Sequence, residues 1–357
     1  MNENMQDGLS STDEELEELL YSQKKSIKVI GSGGGGNNTI NRIQEVGIKG
    51  AETIAVNTDA QDLLYTEADK KILIGRDITE GTGAGADPSV GREAAKENSS
   101  EIKKAVRDAD MVFITCGLGG GTGTGSVPEI AKIAKKTGAL TVAIVTVPFD
   151  VEGEKRKQNA QEGLERLSQV VDTLIVIPND KLLEIAPNLP LNTAFKFADE
   201  ILTNAVKGIS ELVTKQGLVN LDFADIRTVM SDGGVSMIGL GESSSENRAE
   251  EAIERAVNNP LIDVDIKNAT GALVNIVGGE NLSLNESKEV IEVIDSLLSE
   301  NSKLIWGAQI SKDMGNLLRV MIIVTGVESS QIMGKSHSLA DVEKSEFENE
   351  LGIQFVD

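Results

Sequence analysis

The sequence predicts an α/β protein with three parts: a Rossmann-like domain on a parallel sheet, a central spine helix, and a smaller α+β C-terminal domain. Three observations carry this expectation. Short Val/Ile-rich runs alternate with helical patterns through the first half of the chain, glycine-rich segments follow several of those runs, and one long amphipathic stretch separates this region from a differently patterned one.

Taken in order, the apolar runs are Ile27-Lys28-Val29-Ile30, Thr53-Ile54-Ala55-Val56, Ile72-Leu73-Ile74, Met111-Val112-Phe113-Ile114-Thr115-Cys116, Leu140 to Val147 and Thr173 to Ile177. Nearly continuous apolar strands separated by helices indicate a parallel sheet covered on both faces. A helix is expected from Val127 to Lys136. The long helix from Leu191 to Lys215 places Phe195, Ala198, Ile201, Leu202, Ala205, Val206, Ile209, Leu212 and Val213 at helical spacing, as a spine joining two domains would. Beyond it come strand Val235 to Leu240, helix Ser245 to Val257, strand Ala272 to Val277, helix Leu284 to Leu298, and strands Leu304 to Ile310 and Leu317 to Thr325. Ser283 with Glu286 forms a capping box before the second of these helices. The expected division is 26–190, 191–216 and 217–327, flanked by acidic tails 1–25 and 328–357.

Composition narrows the function. The 357 residues suffice for two domains. No stretch is long and apolar enough to span a bilayer, and the start is acidic, so a soluble cytoplasmic protein is expected. A net charge of -23 argues against a nucleic-acid partner. Each tail holds seven acids and two lysines and reads as solvated chain. Cys116, the only cysteine, reads as a small core residue, and the only histidine, His337, lies in a polar tail. Catalysis is thereby narrowed to carboxylates, a hard metal ion and backbone dipoles, with no protein metal site expected.

The chemistry concentrates in the glycine segments. Gly119, Gly120, Gly121, Thr122, Gly123, Thr124 and Gly125 lie between a strand and a helix, where backbone N–H groups and a helix N-terminus attract a phosphate chain. No Gly-Lys-Ser or Gly-Lys-Thr occurs, which excludes the P-loop with its lysine. A second segment, Gly31-Ser32-Gly33-Gly34-Gly35-Gly36-Asn37-Asn38, follows the first strand, and a third, Gly81-Thr82-Gly83-Ala84-Gly85-Ala86-Asp87-Pro88, follows the third. Gly31, Gly33 and Gly36 also satisfy the dinucleotide-binding spacing, so a nicotinamide-dependent oxidoreductase is a rival reading. On the spine helix Phe195 and Asp199 share a face, pairing an aromatic surface with a carboxylate able to accept from guanine N1–H and N2–H. Without the glycine loops they would read as a core aromatic and a surface acid. Asp222 and Asp225, after Asn220, would by themselves read as acids stabilising a helix start whose apolar face is Phe223, Ile226, Val229 and Met230.

Together these segments resemble the FtsZ family of tubulin-like cell-division GTPases, in its archaeal branch, over essentially all of residues 26–327. The tubulin-type signature matches Gly119 to Gly125. The family's other nucleotide loops match Gly31 to Asn38, Asn57-Thr58-Asp59-Ala60-Gln61, and Gly81 to Pro88 with Ala84 and Gly85. The ribose loop matches Pro148-Phe149-Asp150-Val151-Glu152-Gly153 with Arg156, and a further loop matches Pro178-Asn179-Asp180. The resemblance implies GTP/GDP binding with Mg²⁺, Phe195 stacking on the base, and Asp199 where the family often carries asparagine. It implies that Asn220, Asp222 and Asp225 form a synergy loop that enters the neighbouring subunit's site and positions the attacking water. It also implies a homopolymer, a protofilament at the mid-cell division site. The ending Phe347 to Asp357 resembles archaeal FtsZ tails and implies a tether to the membrane anchor SepF, without membrane insertion of the chain itself. A non-hydrolysing tubulin-like regulator is the other alternative.

Overall fold

A computed structural model describes residues 25–48, 50–185, 190–215, 217–219, 221–262, 264 and 266–327. The expected acidic tails apart from Lys25, the terminal peptide 347–357 and the candidate Asn220 lie outside the described residues.

Ten strands form one sheet: β1 (Ile27–Ser32), β2 (Ala51–Asn57), β3 (Lys70–Leu73), β4 (Met111–Gly117), β5 (Leu140–Val147), β6 (Thr173–Pro178), β7 (Gly234–Ser243), β8 (Gly271–Gly278), β9 (Lys303–Ile310) and β10 (Leu318–Thr325). Their order is β3-β2-β1-β4-β5-β6-β7-β10-β8-β9. The first seven positions pair in parallel, β10 is antiparallel to both neighbours, and β8 and β9 are parallel. The mostly parallel, helix-covered sheet agrees with the expected α/β class. The junction is narrow: β6 meets β7 only through Thr173, Leu174 and Ile175 against Gly234, Val235 and Ser236.

The helices are α1 (Gly33–Val46), α2 (Ala60–Tyr65), α3 (Arg76–Thr79), α4 (Pro88–Glu97), α5 (Ser99–Ala105), α6 (Thr122–Lys136), α7 (Glu154–Ser168), α8 (Asn179–Ile185), α9 (Leu191–Thr214), α10 (Phe223–Met230), α11 (Arg248–Val257) and α12 (Leu284–Leu297). Alternate residues of a strand face opposite sides of the sheet. Met111 and Phe113 of β4 accordingly pack with Ile40 and Ile43 of α1 and with Ala198, Ile201, Leu202, Ala205, Val206 and Ile209 of α9. Val112, Ile114 and Cys116 face the other way, toward Val127 and Ile130 of α6 and Leu164 of α7. Burial pushes the Cys116 thiol up to about 12, which makes it an inert core side chain.

One expectation changes in detail. The glycine segments after β1 and β4 read as loops because glycine is a poor helix former, yet α1 starts at Gly33, directly after β1, and after β4 only Leu118 to Gly121 form a turn before α6 starts at Thr122. Close approach explains the glycines. A Cβ on Gly125, inside α6, would lie 2.0 Å from the Pro88 carbonyl, and Gly33 makes its turn at φ +71°, a region costly for other residues. Phe195, at apolar spacing on α9, is 39% exposed, as the aromatic surface read from the sequence requires.

Arg248 clamps the far end of the molecule. Its buried guanidinium donates to Glu286 Oε1 (2.6 Å) and Oε2 (3.2 Å), Asn281 Oδ1 and the Asn281 and Asn316 carbonyls. Glu286 is also the acid of the capping box on α12. The Arg248 hydrogen bonds hold the Glu286 carboxyl down at about 2. Because the folded value lies below the ordinary one, this stabilisation is complete above pH 4.5 and lost as the pH falls toward 2. Glu286→Ala, which strands a buried guanidinium, is expected to lower urea-unfolding stability by on the order of 3 kcal/mol. Glu286→Gln should flatten the acid limb of the stability curve, and an unchanged acid limb in that variant would show the clamp carries no linkage.

Candidate functional site

The chain order reverses between β1, which leads outward to β2 and β3, and β4, which leads the other way to β5 and β6. Ligands of open α/β sheets bind at such switch points, outside the carboxyl ends of the strands. A cleft of about 450 Å³ lies there. Gly33, Gly34, Gly35 and Asn38 line it from the start of α1, and Gly120, Gly121, Thr122 and Gly123 from the start of α6. Pro148, Glu152 and Arg156 contribute the segment after β5, Asn179 the start of α8, and Phe195 and Asp199 the face of α9.

Residue chemistry divides the cleft into two ends. At one end two helices aim their N-termini into it. Neither α1 nor α6 has a side-chain cap or an acid in its first turn, so N–H groups that a capping side chain would satisfy are left for a ligand. The contrast with α2, α4 and α10, capped by Asp59, Asp87 and Asp222, is physical: a carboxylate cap would repel a phosphate. At the other end the Phe195 ring stands edge-on to the buried Phe149, with centroids 5.2 Å apart and planes at 84°, and presents its exposed surface outward. Asp199 lies one turn further along α9, half-buried. Desolvation raises its carboxyl to about 6, while the Thr39 hydroxyl and Arg42 pull it the other way. Asn179 is buried, and its side-chain Oδ1 has no partner. A buried amide oxygen without a partner, an uncovered aromatic and a desolvated carboxylate in one cleft fit a planar, hydrogen-bonding base.

Several sequence candidates stand behind the cleft instead of lining it. Gly36, Gly119 and Gly125 serve close packing, and Thr124 accepts from the Gly119 N–H (2.9 Å), closing the turn before α6. Asn37 donates to Asp62 (3.2 Å), which also accepts from Asn57 (2.6 Å). Asp59 caps α2 by accepting from the Gln61 and Asp62 N–H groups. The segment holding Ala84 and Gly85 buttresses α6: a Cβ on Gly121 would meet the Asp87 nitrogen and the Ala84 Cβ within 3 Å. Asn159 of α7 fastens the same segment by donating to the Ala86 and Gly119 carbonyls, both at 3.2 Å. Asn159 has no sequence signal. Ser32, inside the segment Gly31 to Asn38, lines the cleft as well, and Gly117, Leu118, Thr146, Ala198 and Leu202 line it without having been picked out as site residues. Ala198 and Leu202 fall at helical spacing from Phe195 and Asp199, which is a usable signal.

Asp222 and Asp225 are not brought to the cleft. Both are exposed at the start of α10, whose Phe223, Ile226, Val229 and Met230 are buried as the spacing predicted. Asp222 accepts from the Ala224 N–H (3.2 Å). Arg227, on the same helix, donates to the Gly138 carbonyl (2.6 Å) just beyond α6. Among the described residues no group of three or more His, Cys, Asp or Glu side chains could hold a metal ion.

The chain matches the profile of the Tubulin/FtsZ family, GTPase domain, over residues 26–187 and that of the FtsZ family, C-terminal domain, over 234–328. It is 59% identical to cell division protein FtsZ 1 of Methanocaldococcus jannaschii, covering 90% of this chain and 88% of that one. It is 55% identical to cell division protein FtsZ of Methanothermobacter thermautotrophicus, covering 94% and 87%. A structure described as an empty FtsZ dimer from M. jannaschii superposes with a TM-score of 0.85 at 59% identity, covering 89% of this chain and 93% of that one.

Gly120 and Gly121 separate binding from packing. A Cβ on Gly120 meets nothing within 4 Å, whereas one on Gly121 meets the Asp87 backbone. Gly120→Glu is therefore expected to keep the wild-type melting temperature and lose guanine-nucleotide binding, since its carboxylate enters the anion end of the cleft. Gly121→Glu should lose both. Calorimetric melting with nucleotide titration checks this; undiminished nucleotide binding by Gly120→Glu would exclude the cleft as the phosphate site.

Proposed function

Because the chain belongs to the FtsZ family of cell-division proteins, we propose that it binds GTP, hydrolyses it, and assembles head to tail into filaments whose active sites are completed by the neighbouring subunit. The observation that supports this most is a separation. One chain carries a cleft whose glycine-rich end is lined by no carboxylate among the described residues, together with two exposed aspartates that do not line it.

In this reading the first-turn N–H groups of α1 and α6 bind the phosphates and supply much of the charge neutralisation that phosphoryl transfer needs. Mg²⁺ enters as part of the substrate, held by phosphate oxygens and its own waters, as suits an ion that prefers to keep its hydration. Phe195 stacks on the base, Asp199 accepts from guanine N1–H and N2–H, and Arg156 and Glu152, paired at 2.7 Å, face the sugar. Asp222 and Asp225 of the next subunit orient the attacking water. A contact between two different surfaces does not close, so it generates an open filament. Family membership removes the oxidoreductase alternative. Of its three glycines only Gly33 lines the cleft, while Gly31 and Gly36 pack on each other. The non-hydrolysing alternative is decided by phosphate release. No helix among the described residues is long and apolar enough to cross a membrane, and the sequence of 347–357 suggests a tether to a membrane-anchor protein.

Two outcomes check this function. Asp225→Ala and Gly120→Glu should each release little phosphate alone, yet a mixture should regain activity, since one supplies an intact cleft and the other intact aspartates. No recovery at any ratio, with co-assembly demonstrated, argues against a shared site. For the base, guanine donors favour the ionised carboxylate, so GTP affinity should be level above about pH 6 and fall by up to about tenfold per pH unit below it. Asp199→Ala should remove this pH dependence and erode the preference for GTP over ATP, as equilibrium dialysis would show.

A further inference from the structure

We propose that Thr39 is a positioning residue for guanine recognition: its hydroxyl holds the Asp199 carboxylate ready to accept from the base and links that end of the cleft to the phosphate end. The inference rests on the reading of Asp199 given above.

Thr39 lies on α1 and is fully buried. Its Oγ1 is 3.3 Å from Asp199 Oδ1 and 3.1 Å from the carbonyl of Gly35, one turn back. The hydroxyl has one proton and two acceptors to serve. When Asp199 is ionised, the charge-assisted bond to the carboxylate is the stronger of the two. When Asp199 is protonated, the threonine proton turns to Gly35, which itself lines the phosphate end.

The surroundings leave this task to Thr39. Among the described residues it is the hydrogen-bond donor to Asp199. The cation facing Asp199 is Arg42 of α1, and it is already drawn to Glu45 (2.8 Å) and Glu200 (3.7 Å). Lys196 lines the adjoining cavity, and across the cleft Arg156 is paired with Glu152. A threonine inside a helix often bonds only to the carbonyl four residues back. That simpler role makes a different prediction, because it does not touch the titration of Asp199.

The test uses full-length protein at concentrations below assembly, with GTP and ITP affinities measured by equilibrium dialysis from pH 5 to 8. ITP lacks the exocyclic amine and so reads the second hydrogen bond to Asp199. Thr39→Val is expected to move the midpoint of the GTP pH profile upward by about half to one unit. It should also reduce the GTP-over-ITP preference at pH 7 by about threefold to tenfold. Thr39→Ser should restore both. If Asp199→Ala abolishes the profile and the preference while Thr39→Val leaves them at wild-type values, or weakens both nucleotides equally at every pH, the role of Thr39 is overturned and the base reading stands. If Asp199→Ala changes neither, the base reading fails and the proposal fails with it.

Discussion

Two helix N-termini have to converge on one volume without being capped, and most of the nucleotide-side architecture follows from that constraint. The phosphate end has no P-loop lysine, so backbone N–H groups carry the positive potential. They can do so only where β1 and β4 turn within a few residues into α1 and α6, and at several positions that turn leaves no room for a side chain. Gly33 supplies the left-handed step and Gly125 the close approach to Pro88. The segment from Gly81 to Pro88 holds α6 from behind, Asn159 ties that segment to the turn before α6, and the Thr58 and Thr122 hydroxyls, 2.6 Å apart, join the second strand's loop to the same helix start. Glycine content here is thus a packing requirement as much as a ligand requirement.

The strands and their parallel class were legible because their apolar runs leave no polar face, as burial on both sides demands. The helix faces of α9 and α10 were legible from spacing. What was not legible came from tertiary geometry. Glycine's poor helix propensity hid the true starts of α1 and α6, since nothing local indicates that a neighbouring carbonyl forbids a Cβ. Phe195 falls at the apolar spacing of α9, and the period alone does not show that its ring is exposed. Asn159 and Thr39 are polar residues on helices without motif, and their roles depend on backbone and side-chain atoms distant in sequence. The glycine segments were legible in the sequence itself, but neither they nor the family resemblance separated residues lining the cleft, such as Gly120, from those supporting it, such as Thr124.

The cleft and the helix that carries Asp222 and Asp225 are linked by a hydrogen bond. α6 begins at the phosphate end, and the residue Gly138 just past its far end accepts from Arg227, two positions beyond Asp225. A cation at a helix C-terminus is favourable for the helix dipole as well as for the hydrogen bond. In the proposed function this bond connects the cleft to the aspartates through one helix, as head-to-tail contact between identical subunits would require.

The central claim is that hydrolysis takes place between subunits. The most direct measurement is phosphate release from GTP with magnesium as a function of protein concentration, followed together with sedimentation. The account predicts negligible specific activity below a threshold and a rise at the concentration where sedimenting polymer appears. Specific activity independent of concentration, present in protein that remains monomeric, would place a complete site within one chain and contradict it.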